Sequence, residues 1–330
     1  MKIFVTRLIP GMIQKIMTDA GHEIEIWQEE RALESGELIA KCQQAEALLC
    51  ISQPLNADFF LQCPNLRVVA TNSVGYDQID VAKATELGIP IGNTPGVLSK
   101  ATGDTAFLLM QMVARKALFW HKQILDDNWG FAQPFENLGI DLQGKTLGIF
   151  GLGRIGIELA KSAQGAFDMP LIYHNRNKNE EAEKTLGARY VGFEELLEQS
   201  DVLSVHANLN NENKGIFDLN VFSKMKREAI FINTARGALH QEDDLLKALQ
   251  DGIIAGAGLD VTNPEPMKAD HPLLSLKNTA ILPHIGSATA ETRKAMLSLS
   301  AYNILAGLEG KPLPECVNPE VYQKNQQHAV

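Results

Sequence analysis

Short apolar runs rich in β-branched residues alternate with stretches of helical spacing along almost the whole chain. This alternation predicts βα units, parallel sheets and an α/β fold. Before residue 98 the pattern predicts strands at 2–6, 23–27, 46–51 and 67–71. After residue 144 it predicts six more, at 145–150, 171–174, 201–206, 229–234, 256–261 and 279–282. A doubly wound dinucleotide-binding sheet has six strands.

Helices are predicted between the strands, and one of them divides the chain. Residues 99–115 have apolar positions at helical spacing after a Pro95-Gly96 break, which predicts a helix that crosses between domains. A last helix, at 290–308, would carry the chain back toward the first block of strands. The predicted organisation is a first domain of residues 1–98, a second of residues 99–289, and a segment, 290–330, that completes the first.

The composition is that of an ordinary globular protein, and the length suits two domains. The 330 residues are 45% hydrophobic and 21% charged, and a typical domain has about 100–200 residues. Thirty Lys and Arg against forty Asp and Glu give a net charge of −10, which argues against nucleic acid or an anionic membrane as a partner. The longest uncharged run, 295–308, has 14 residues, whereas a membrane-spanning helix needs about 20.

The N-terminus and the cysteines favour a cytoplasmic location. The N-terminal segment has no sustained apolar stretch and no small-residue cleavage site, so it lacks the pattern of a secretory signal. None of the four cysteines lies in a CxxC or Cys/His ligand spacing. Free thiols in a reducing compartment are therefore expected, and no metal site.

A glycine motif follows the most apolar predicted strand, 145–150. It reads Gly151-Leu152-Gly153-Arg154-Ile155-Gly156 and leads into a predicted helix at 157–165. In such a strand–turn–helix unit the first glycine permits the tight turn, the second lets the backbone approach a pyrophosphate, and the third lets helix and strand pack closely. The helix N-terminus adds N–H donors for phosphate oxygens. The motif predicts a dinucleotide site.

The end of the next strand indicates which dinucleotide is bound. An NAD site places an acidic residue about 20 residues after the glycines, where it accepts hydrogen bonds from ribose hydroxyls. Here the sequence is His174-Asn175-Arg176-Asn177-Lys178, with no acid before Glu180. Arg176 and Lys178 could bind a 2′-phosphate through charge-assisted hydrogen bonds. NADP(H) is therefore predicted in preference to NAD(H), which remains possible.

Five motifs together resemble the D-isomer-specific 2-hydroxyacid dehydrogenase family, over nearly the whole chain. Within it the sequence is most similar to the glyoxylate/hydroxypyruvate reductase branch, which includes bacterial 2-ketogluconate reductases. The motifs are Ser73-Val74-Gly75-Tyr76-Asp77, Gly151 to Gly156, Asn233-Thr234-Ala235-Arg236-Gly237, Gly258-Leu259-Asp260-Val261 with Glu265-Pro266, and Pro283-His284-Ile285-Gly286-Ser287-Ala288-Thr289. The resemblance implies two Rossmann-like domains, a flavodoxin-like substrate domain and a doubly wound coenzyme domain.

The resemblance also implies three catalytic residues. Arg236 would hold the carboxylate and polarise the keto group of a 2-keto acid, which its guanidinium fork suits better than lysine. His284, paired with Glu265, would protonate the developing alkoxide during reduction and accept the proton during oxidation. Val74 and Gly75 would contact the substrate carboxylate through main-chain N–H groups, beside Arg236 and His284.

Further positions are implied for the coenzyme, and some depart from the family pattern. Besides the glycine motif and Asn175, Arg176 and Lys178, the coenzyme contacts would come from Thr102, His206, Ala207, Thr234, Ala235, Asp260 and Gly286. His174 is expected to line the nucleotide cleft. The departures are Gly103, Asn208 and Thr262, each expected to loosen a loop or pocket wall. Trp129 and Phe131 are aromatic residues of a loop that can help to close the substrate pocket.

The implied activity is NADPH-dependent reduction of glyoxylate, hydroxypyruvate or 2-ketogluconate to the D-2-hydroxy acid, by a homodimer. One alternative is an NAD-linked D-glycerate, D-lactate or phosphoglycerate dehydrogenase. A formate dehydrogenase is disfavoured because that relative pairs its histidine with Gln, whereas position 265 is Glu. An alternative of another class is a coenzyme-sensing binding protein, like the transcriptional corepressors that share this fold.

Overall fold

The computed structural model describes residues 1–130 and 133–323 and divides the chain into two compact units. Unit 1 comprises Met1–Leu98 with Thr289–Val330, and unit 2 comprises Ser99–Ala288. Among the described helices, none is long and apolar enough to cross a membrane.

The strands and helices alternate along both units. The strands are β1 (Lys2–Val5), β2 (Glu23–Ile26), β3 (Ala47–Cys50), β4 (Val68–Thr71), β5 (Ile91–Gly92), β6 (Leu147–Phe150), β7 (Leu171–His174), β8 (Arg189–Tyr190), β9 (Val202–Val205), β10 (Ile230–Asn233), β11 (Gly256–Leu259) and β12 (Thr279–Ile281). The α-helices are α1 (Gly11–Thr18), α2 (Ser35–Cys42), α3 (Ala57–Gln62), α4 (Val81–Glu86), α5 (Ser99–Ala114), α6 (Ala117–Leu125), α7 (Arg154–Phe167), α8 (Glu180–Leu186), α9 (Phe193–Gln199), α10 (Leu219–Ser223), α11 (Glu242–Gln250) and α12 (Ala290–Leu308). Short 3-10 helices cover Gly237–Leu239 and Pro272–Ser275.

Unit 1 contains a parallel five-stranded sheet in the order β2-β1-β3-β4-β5, the flavodoxin-like order. Its central strands are buried on both faces because helices cover both sides. Helices α2, α3 and α4 contribute to the apolar cluster around Phe4 and Leu48, and α1 and α12 to the cluster around Ile3 and Leu49. Alternate residues of one strand therefore enter opposite halves of the core.

Unit 2 contains a parallel seven-stranded sheet in the order β12-β11-β10-β9-β6-β7-β8. The strand order reverses between β6 and β9, where ligands of open α/β sheets bind, at the carboxyl ends of the strands. Helices α5 and α7 pack on the face that includes Ile149 and Ile232, and α9, α10 and α11 on the face that includes Phe150 and Phe231. This topology gathers the ends of β6, β9, β10 and β11 at one edge of unit 2.

The predicted α/β fold is confirmed, and several element boundaries are corrected. The final helix is α12 as predicted, but the sheet of unit 2 has seven strands rather than six. The pattern missed β5 and β8, which have two residues each and are too short to show a period. The predicted helix at 99–115 ends at Ala114, because Lys116 has a left-handed φ of 50° before α6 begins.

Candidate active site

The glycine turn after β6 has the geometry that the motif predicts. Gly151 has φ of 97°, and a Cβ there would lie 2.5 Å from the Ala207 nitrogen. A Cβ on Gly156 would lie 3.1 Å from the Gly151 carbonyl oxygen. Gly153 is the N-cap of α7, which begins at Arg154 rather than at 157, and a Cβ there would meet nothing within 4 Å. The α7 N-terminus thus has open space at the one glycine predicted to approach a pyrophosphate.

The residues after β7 separate into supporting and exposed side chains. Asn175 Oδ1 accepts a hydrogen bond from the Leu152 N–H at 2.6 Å, so this side chain supports the glycine turn. Arg176 and Lys178 are exposed, and the Lys178 ammonium lies 5.6 Å from the centroid of the Tyr190 ring. The first acid after β7 in the sequence is Glu180, so none of the five residues that follow the strand is acidic.

His174 lies in an aromatic cluster at the end of β7. Its ring stacks on Phe150 and Tyr190, at centroid distances of 5.9 Å in both cases. Its Nδ1 lies 2.9 Å from the Val191 carbonyl oxygen. The side chain is therefore fixed by packing, and its place along a nucleotide cleft stays a prediction.

The ends of β9 and β10 bring three predicted coenzyme residues together. His206 Nε2 lies 2.9 Å from Ser204 Oγ, and its Nδ1 lies 3.4 Å from Thr234 Oγ1. Ala207 packs against Gly151. Burial lowers the pKa of His206 to about 4, because the charged imidazolium loses its hydration. The imidazole is therefore neutral near pH 7.

Arg236 lies in the turn that leaves β10. Its side chain is half-buried, and Nη1 donates to the Ala235 carbonyl oxygen at 2.7 Å. The Arg236 carbonyl accepts from Asn233 Nδ2 at 2.9 Å, while Asn233 Oδ1 accepts from the Ala235 N–H at 2.9 Å. One asparagine at the strand end thus fixes both peptide groups beside the guanidinium.

Glu265 and His284 are paired, as the resemblance implies. His284 Nδ1 lies 2.5 Å from Glu265 Oε1, and their side chains are 49% and 41% exposed. Burial raises the pKa of Glu265, but the hydrogen bond and charge of His284, the Thr262 backbone and the Arg236 charge together lower it, so the net pKa is below the usual value. The second ring nitrogen of His284, Nε2, has no hydrogen-bond partner within the described residues and could therefore meet a substrate. This pair can stabilise an imidazolium that gives or takes a proton.

Asp260, expected beneath a nicotinamide ring, anchors the turn that contains His284. The carboxylate is 1% exposed and accepts from the N–H groups of Ile285 and Gly286 at 2.8 and 2.7 Å. Burial outweighs these bonds and raises its pKa. A Cβ on Gly286 would lie 2.9 Å from Asp260 Oδ2 and 3.2 Å from Thr102 Cγ2, so α5 brings Thr102 to the same turn.

Val74 and Gly75 lie in unit 1, after β4. Asn93 Nδ2 donates to the Val74 carbonyl at 2.9 Å, and Ser73 Oγ donates to the Gly75 carbonyl at 2.6 Å. Within the described residues, neither main-chain N–H has a hydrogen-bond acceptor. The carbonyl groups are thus fixed, and the two N–H groups can bind an anion.

The three departures from the family pattern each lie at a local contact. A Cβ on Gly103 would lie 2.8 Å from Glu158 Cβ, so glycine permits close packing of α5 on α7. Thr262 Oγ1 donates to the Pro264 carbonyl at 2.9 Å, and the Asn208 main-chain carbonyl accepts from Asn213 at 2.8 Å. That these residues loosen a loop or pocket wall stays a prediction.

The aromatic loop residues differ in what the structure describes. Trp129 is 81% exposed, and Phe131 lies outside the described residues. The loop is therefore not shown to form part of a pocket.

Two buried side chains near the turns escaped the sequence reasoning. His240 and Glu242 lie 2.8 Å apart, Nε2 to Oε2, and contact Asn233 and the Asn263 N–H. The one available signal was the spacing of a histidine and an acid two residues apart just after the Arg236 motif.

A family comparison covers most of unit 2. The model described as D-isomer specific 2-hydroxyacid dehydrogenase, NAD binding domain, matches residues 107–286.

Relatives and solved structures extend the similarity to nearly the whole chain. The glyoxylate reductase of Korarchaeum cryptofilum is 41% identical over 97% of this chain and 96% of that protein. The glyoxylate/hydroxypyruvate reductase B of Yersinia pestis is 40% identical over 86% of this chain and 87% of that protein. A crystal structure of the NADPH-dependent glyoxylate/hydroxypyruvate reductase of Sinorhizobium meliloti, in complex with NADP and malonate, has a TM-score of 0.84 and 30% identity over 96% of this chain and 97% of that one.

Proposed function

Because the chain belongs to the D-isomer-specific 2-hydroxyacid dehydrogenase family, which makes it an oxidoreductase, we propose that it reduces small 2-keto acids with NADPH in preference to NADH. The candidate substrates are glyoxylate, hydroxypyruvate and 2-ketogluconate, and the products are the hydroxy acids, of D configuration where they are chiral. The observation that carries the proposal is the 2.5 Å contact between Glu265 and His284 in unit 2, which also holds Arg236 and the glycine turn.

Each side chain has one task in the proposed reaction. Arg236 binds the substrate carboxylate and polarises the keto group, so that electron density moves toward the keto oxygen and the carbon can accept a hydride. His284 donates the proton from Nε2 to the alkoxide as it forms, and Glu265 stabilises the imidazolium before the transfer. A bound nicotinamide coenzyme would supply the hydride. Val74 and Gly75 are proposed to donate main-chain hydrogen bonds to the carboxylate.

The residues of unit 2 fit a dinucleotide. The open position at Gly153 and the first N–H groups of α7 suit a pyrophosphate. We propose that Leu152, Arg154 and Ile155 contribute to that turn, and that His206, Ala207, Thr234, Ala235, Asp260, Gly286 and Thr102 form the rest of the coenzyme site. Unit 2 is accordingly proposed as the coenzyme domain and unit 1 as the substrate domain.

Activity assays with a matched pair of arginine variants test the reaction. Arg236→Ala should lower kcat/KM for 2-keto acids by about 10²–10³-fold, because an electrophilic donor at the reacting carbonyl is lost. His284→Ala should lower kcat by about 10²–10⁴-fold. Arg227→Ala is the control, since Arg227 is exposed and precedes β10 at its opposite end. No turnover of any 2-keto acid by the wild type would overturn the proposal.

The coenzyme preference is proposed from the end of β7. Arg176 and Lys178 are exposed cations, and no acidic residue follows β7 before Glu180, which suits a 2′-phosphate. Asn175 supports the glycine turn through its hydrogen bond with the Leu152 N–H. Arg176→Ala with Lys178→Ala should raise KM for NADPH at least about tenfold and leave KM for NADH unchanged. Lys184→Ala, an exposed lysine on α8, is the control. A wild-type preference for NADH would favour the NAD-linked alternative.

A homodimer is proposed from large exposed apolar side chains in one segment of unit 2. They are Ile124, Leu125, Trp129, Phe135 and Leu138, of which Leu125 is 72% and Phe135 89% exposed. So many exposed apolar side chains in one segment would suit a subunit contact. Leu125→Glu should shift the mass measured by light scattering toward the monomer. Leu61→Glu, on the exposed face of α3, should not.

A cytoplasmic location is proposed from the thiols. Cys42, Cys50, Cys63 and Cys316 are all free, as expected in a reducing compartment.

A further inference from the structure

A second pair of histidine and carboxylate lies beneath the turns that contain Arg236 and Glu265. His240 follows the 3-10 helix Gly237–Leu239, and Glu242 is the first residue of α11. Their side chains are 0% and 8% exposed, and His240 Nε2 lies 2.8 Å from Glu242 Oε2. Buried polar groups of this kind are costly unless each donor and acceptor is paired.

The hydrogen bonds of Asn233 determine which nitrogen of His240 carries the proton. Asn233 Oδ1 accepts from the Ala235 N–H, so its Nδ2 is the donor toward the Arg236 carbonyl and toward His240 Nδ1, at 2.9 and 3.1 Å. His240 Nδ1 is therefore an acceptor, and Nε2 carries the proton that is donated to Glu242. Both amide hydrogens of Asn233 are used, one of them on the Arg236 peptide.

The same carboxylate oxygen also reaches the turn that contains Glu265. Glu242 Oε2 accepts from the Asn263 N–H at 3.1 Å. Its other oxygen, Oε1, has no hydrogen-bond partner within the described residues, so Oε2 makes both contacts. The two turns touch directly as well, because a Cβ on Gly237 would lie 2.0 Å from the Thr262 carbonyl oxygen.

We propose that Glu242 and His240 are positioning residues that set the distance between Arg236 and Glu265. One branch runs from Glu242 through His240 and Asn233 to the Arg236 peptide, and the other runs directly to Asn263, two residues before Glu265. This inference rests on the proposed function, in which Arg236 binds the substrate and Glu265 orients His284. Small displacements of such groups reduce catalysis strongly, by up to about 100-fold for about 1 Å.

A paired substitution distinguishes positioning from a merely structural role. In His240→Leu/Glu242→Leu, apolar side chains replace the whole buried pair, so no charge is left buried alone, although Asn233 Nδ2 and the Asn263 N–H lose their acceptors and the melting temperature should fall. We expect the variant still to fold and its dissociation constant for NADPH to stay near that of the wild type, while kcat falls about 10–100-fold. Asp243→Asn is the control, because Asp243 is exposed at the start of the same helix, and it should retain wild-type kcat.

The conservative variant Glu242→Gln gives a second test of the positioning role, again through kcat. Glu242→Gln keeps an oxygen that can accept from His240 and Asn263, so kcat should stay within about threefold of wild type. If the paired variant does not fold, Glu242→Met takes its place, with the same fall in kcat expected at unchanged NADPH affinity. Wild-type kcat in the folded apolar variant, or equal losses in Glu242→Gln and Glu242→Met, would overturn the proposal. Loss of the proposed function itself would show separately, as a wild type without 2-keto acid turnover.

Discussion

Gly237 follows Arg236 and contacts the neighbouring turn so closely that no other residue fits. A Cβ at this position would lie 2.0 Å from the Thr262 carbonyl oxygen, which is backbone and cannot rotate away. Gly237→Ala should therefore force the two turns apart and lower the free energy of unfolding by about 2 kcal/mol or more. Urea denaturation measures the change.

Gly165 provides the matched control for that substitution. It lies within α7, and a Cβ there would meet nothing within 4 Å. Gly165→Ala should raise the free energy of unfolding by about 0.5–1 kcal/mol, since alanine restricts the unfolded chain and favours the helix. Equal effects of the two substitutions would contradict the close contact of the turns.

His206 should make the protein less stable in mild acid. Its pKa is about 4 in the folded protein and about 6.5 in an unfolded chain. As the pH falls below about 6.5, the unfolded state takes up the proton first, so stability is lost progressively down to about pH 4. The loss amounts to about 2–3 kcal/mol at pH 4.5.

His206→Gln should remove that acid-dependent loss. We would compare the free energy of unfolding at pH 7 and pH 4.5 by urea denaturation without coenzyme. His121→Gln, an exposed histidine on α6, is the control and should follow the wild type. The assignment fails if His206→Gln loses as much stability between the two pH values as the wild type does.

At the scale of the elements, the turn after β12 is held in place by one carboxylate, that of Asp260 at the end of β11. Asp260 accepts two consecutive N–H groups, those of Ile285 and Gly286, and its carbonyl accepts from the His284 N–H at 2.9 Å. Asp260→Asn retains a single side-chain acceptor and places an NH₂ group against an N–H group. Because the turn that contains His284 would shift, kcat should fall about 10–100-fold.

Asp201 is the control at the opposite end of the same sheet. It accepts from the Thr146 N–H and from Lys226 Nζ, each at 2.8 Å, just before β9. Asp201→Asn should cost about 1 kcal/mol of stability and leave kcat unchanged. If both asparagine variants retain wild-type kcat, Asp260 does not hold the proposed acid in place.

Some helices and strands could be predicted from the sequence pattern, and others could not. Helix α12 could be placed from the sequence because its buried positions repeat at helical spacing. Strands β7 and β10 could be placed because each is a short, continuous apolar run, which is typical of a parallel strand buried on both faces. The two-residue strands β5 and β8 could not, since only tertiary pairing makes them strands. The location of Arg236 at a carboxyl strand end could be predicted too, because Arg236 comes three residues after the last residue of β10, which is a local property of the chain.

The support of the candidate site could not be predicted in the same way. The contact of Glu242 with Asn263 joins residues 21 positions apart, and that of Asp260 with Gly286 joins residues 26 apart. Such contacts depend on which strands become neighbours and on side-chain rotamers, neither of which leaves a period in the sequence. For the same reason the sequence did not show that Gly103 lies at a close contact between α5 and α7.

The ligands proposed for the chain are anions, whereas its net charge is −10. Many cations are committed to ion pairs, such as Arg31 with Glu37 and Lys226 with Asp201. Arg176 and Lys178 are exposed and make no ion pair within the described residues. The local sign of charge near the end of β7, rather than the net charge, is therefore what matters for a phosphate ligand.

Unit 1 is assembled from two distant segments of the chain, so its first segment should not fold alone. Helix α12 buries Leu297, Ala301 and Ile304 in the core formed with β3 and β4. Its Gly307 fits so closely that a Cβ there would lie 2.5 Å from Val68. Each large apolar side chain exposed by removal of α12 costs about 1.5–3 kcal/mol, a large share of the 5–15 kcal/mol typical of a domain.

Buried asparagines add polar contacts that the first segment would also lose. Asn318 Oδ1 accepts from the Ile91 N–H at 2.8 Å, and Asn303 Nδ2 donates to the Asn93 carbonyl at 3.0 Å. A fragment of residues 1–98 should therefore lack a cooperative thermal transition. Fusion of 289–330 to that fragment through a flexible linker should restore the transition, and a fragment of residues 99–288, which retains both clusters of its own core, should fold unaided. Circular dichroism melts measure all three, and a cooperative transition in 1–98 alone would show that α12 is dispensable for the core it covers.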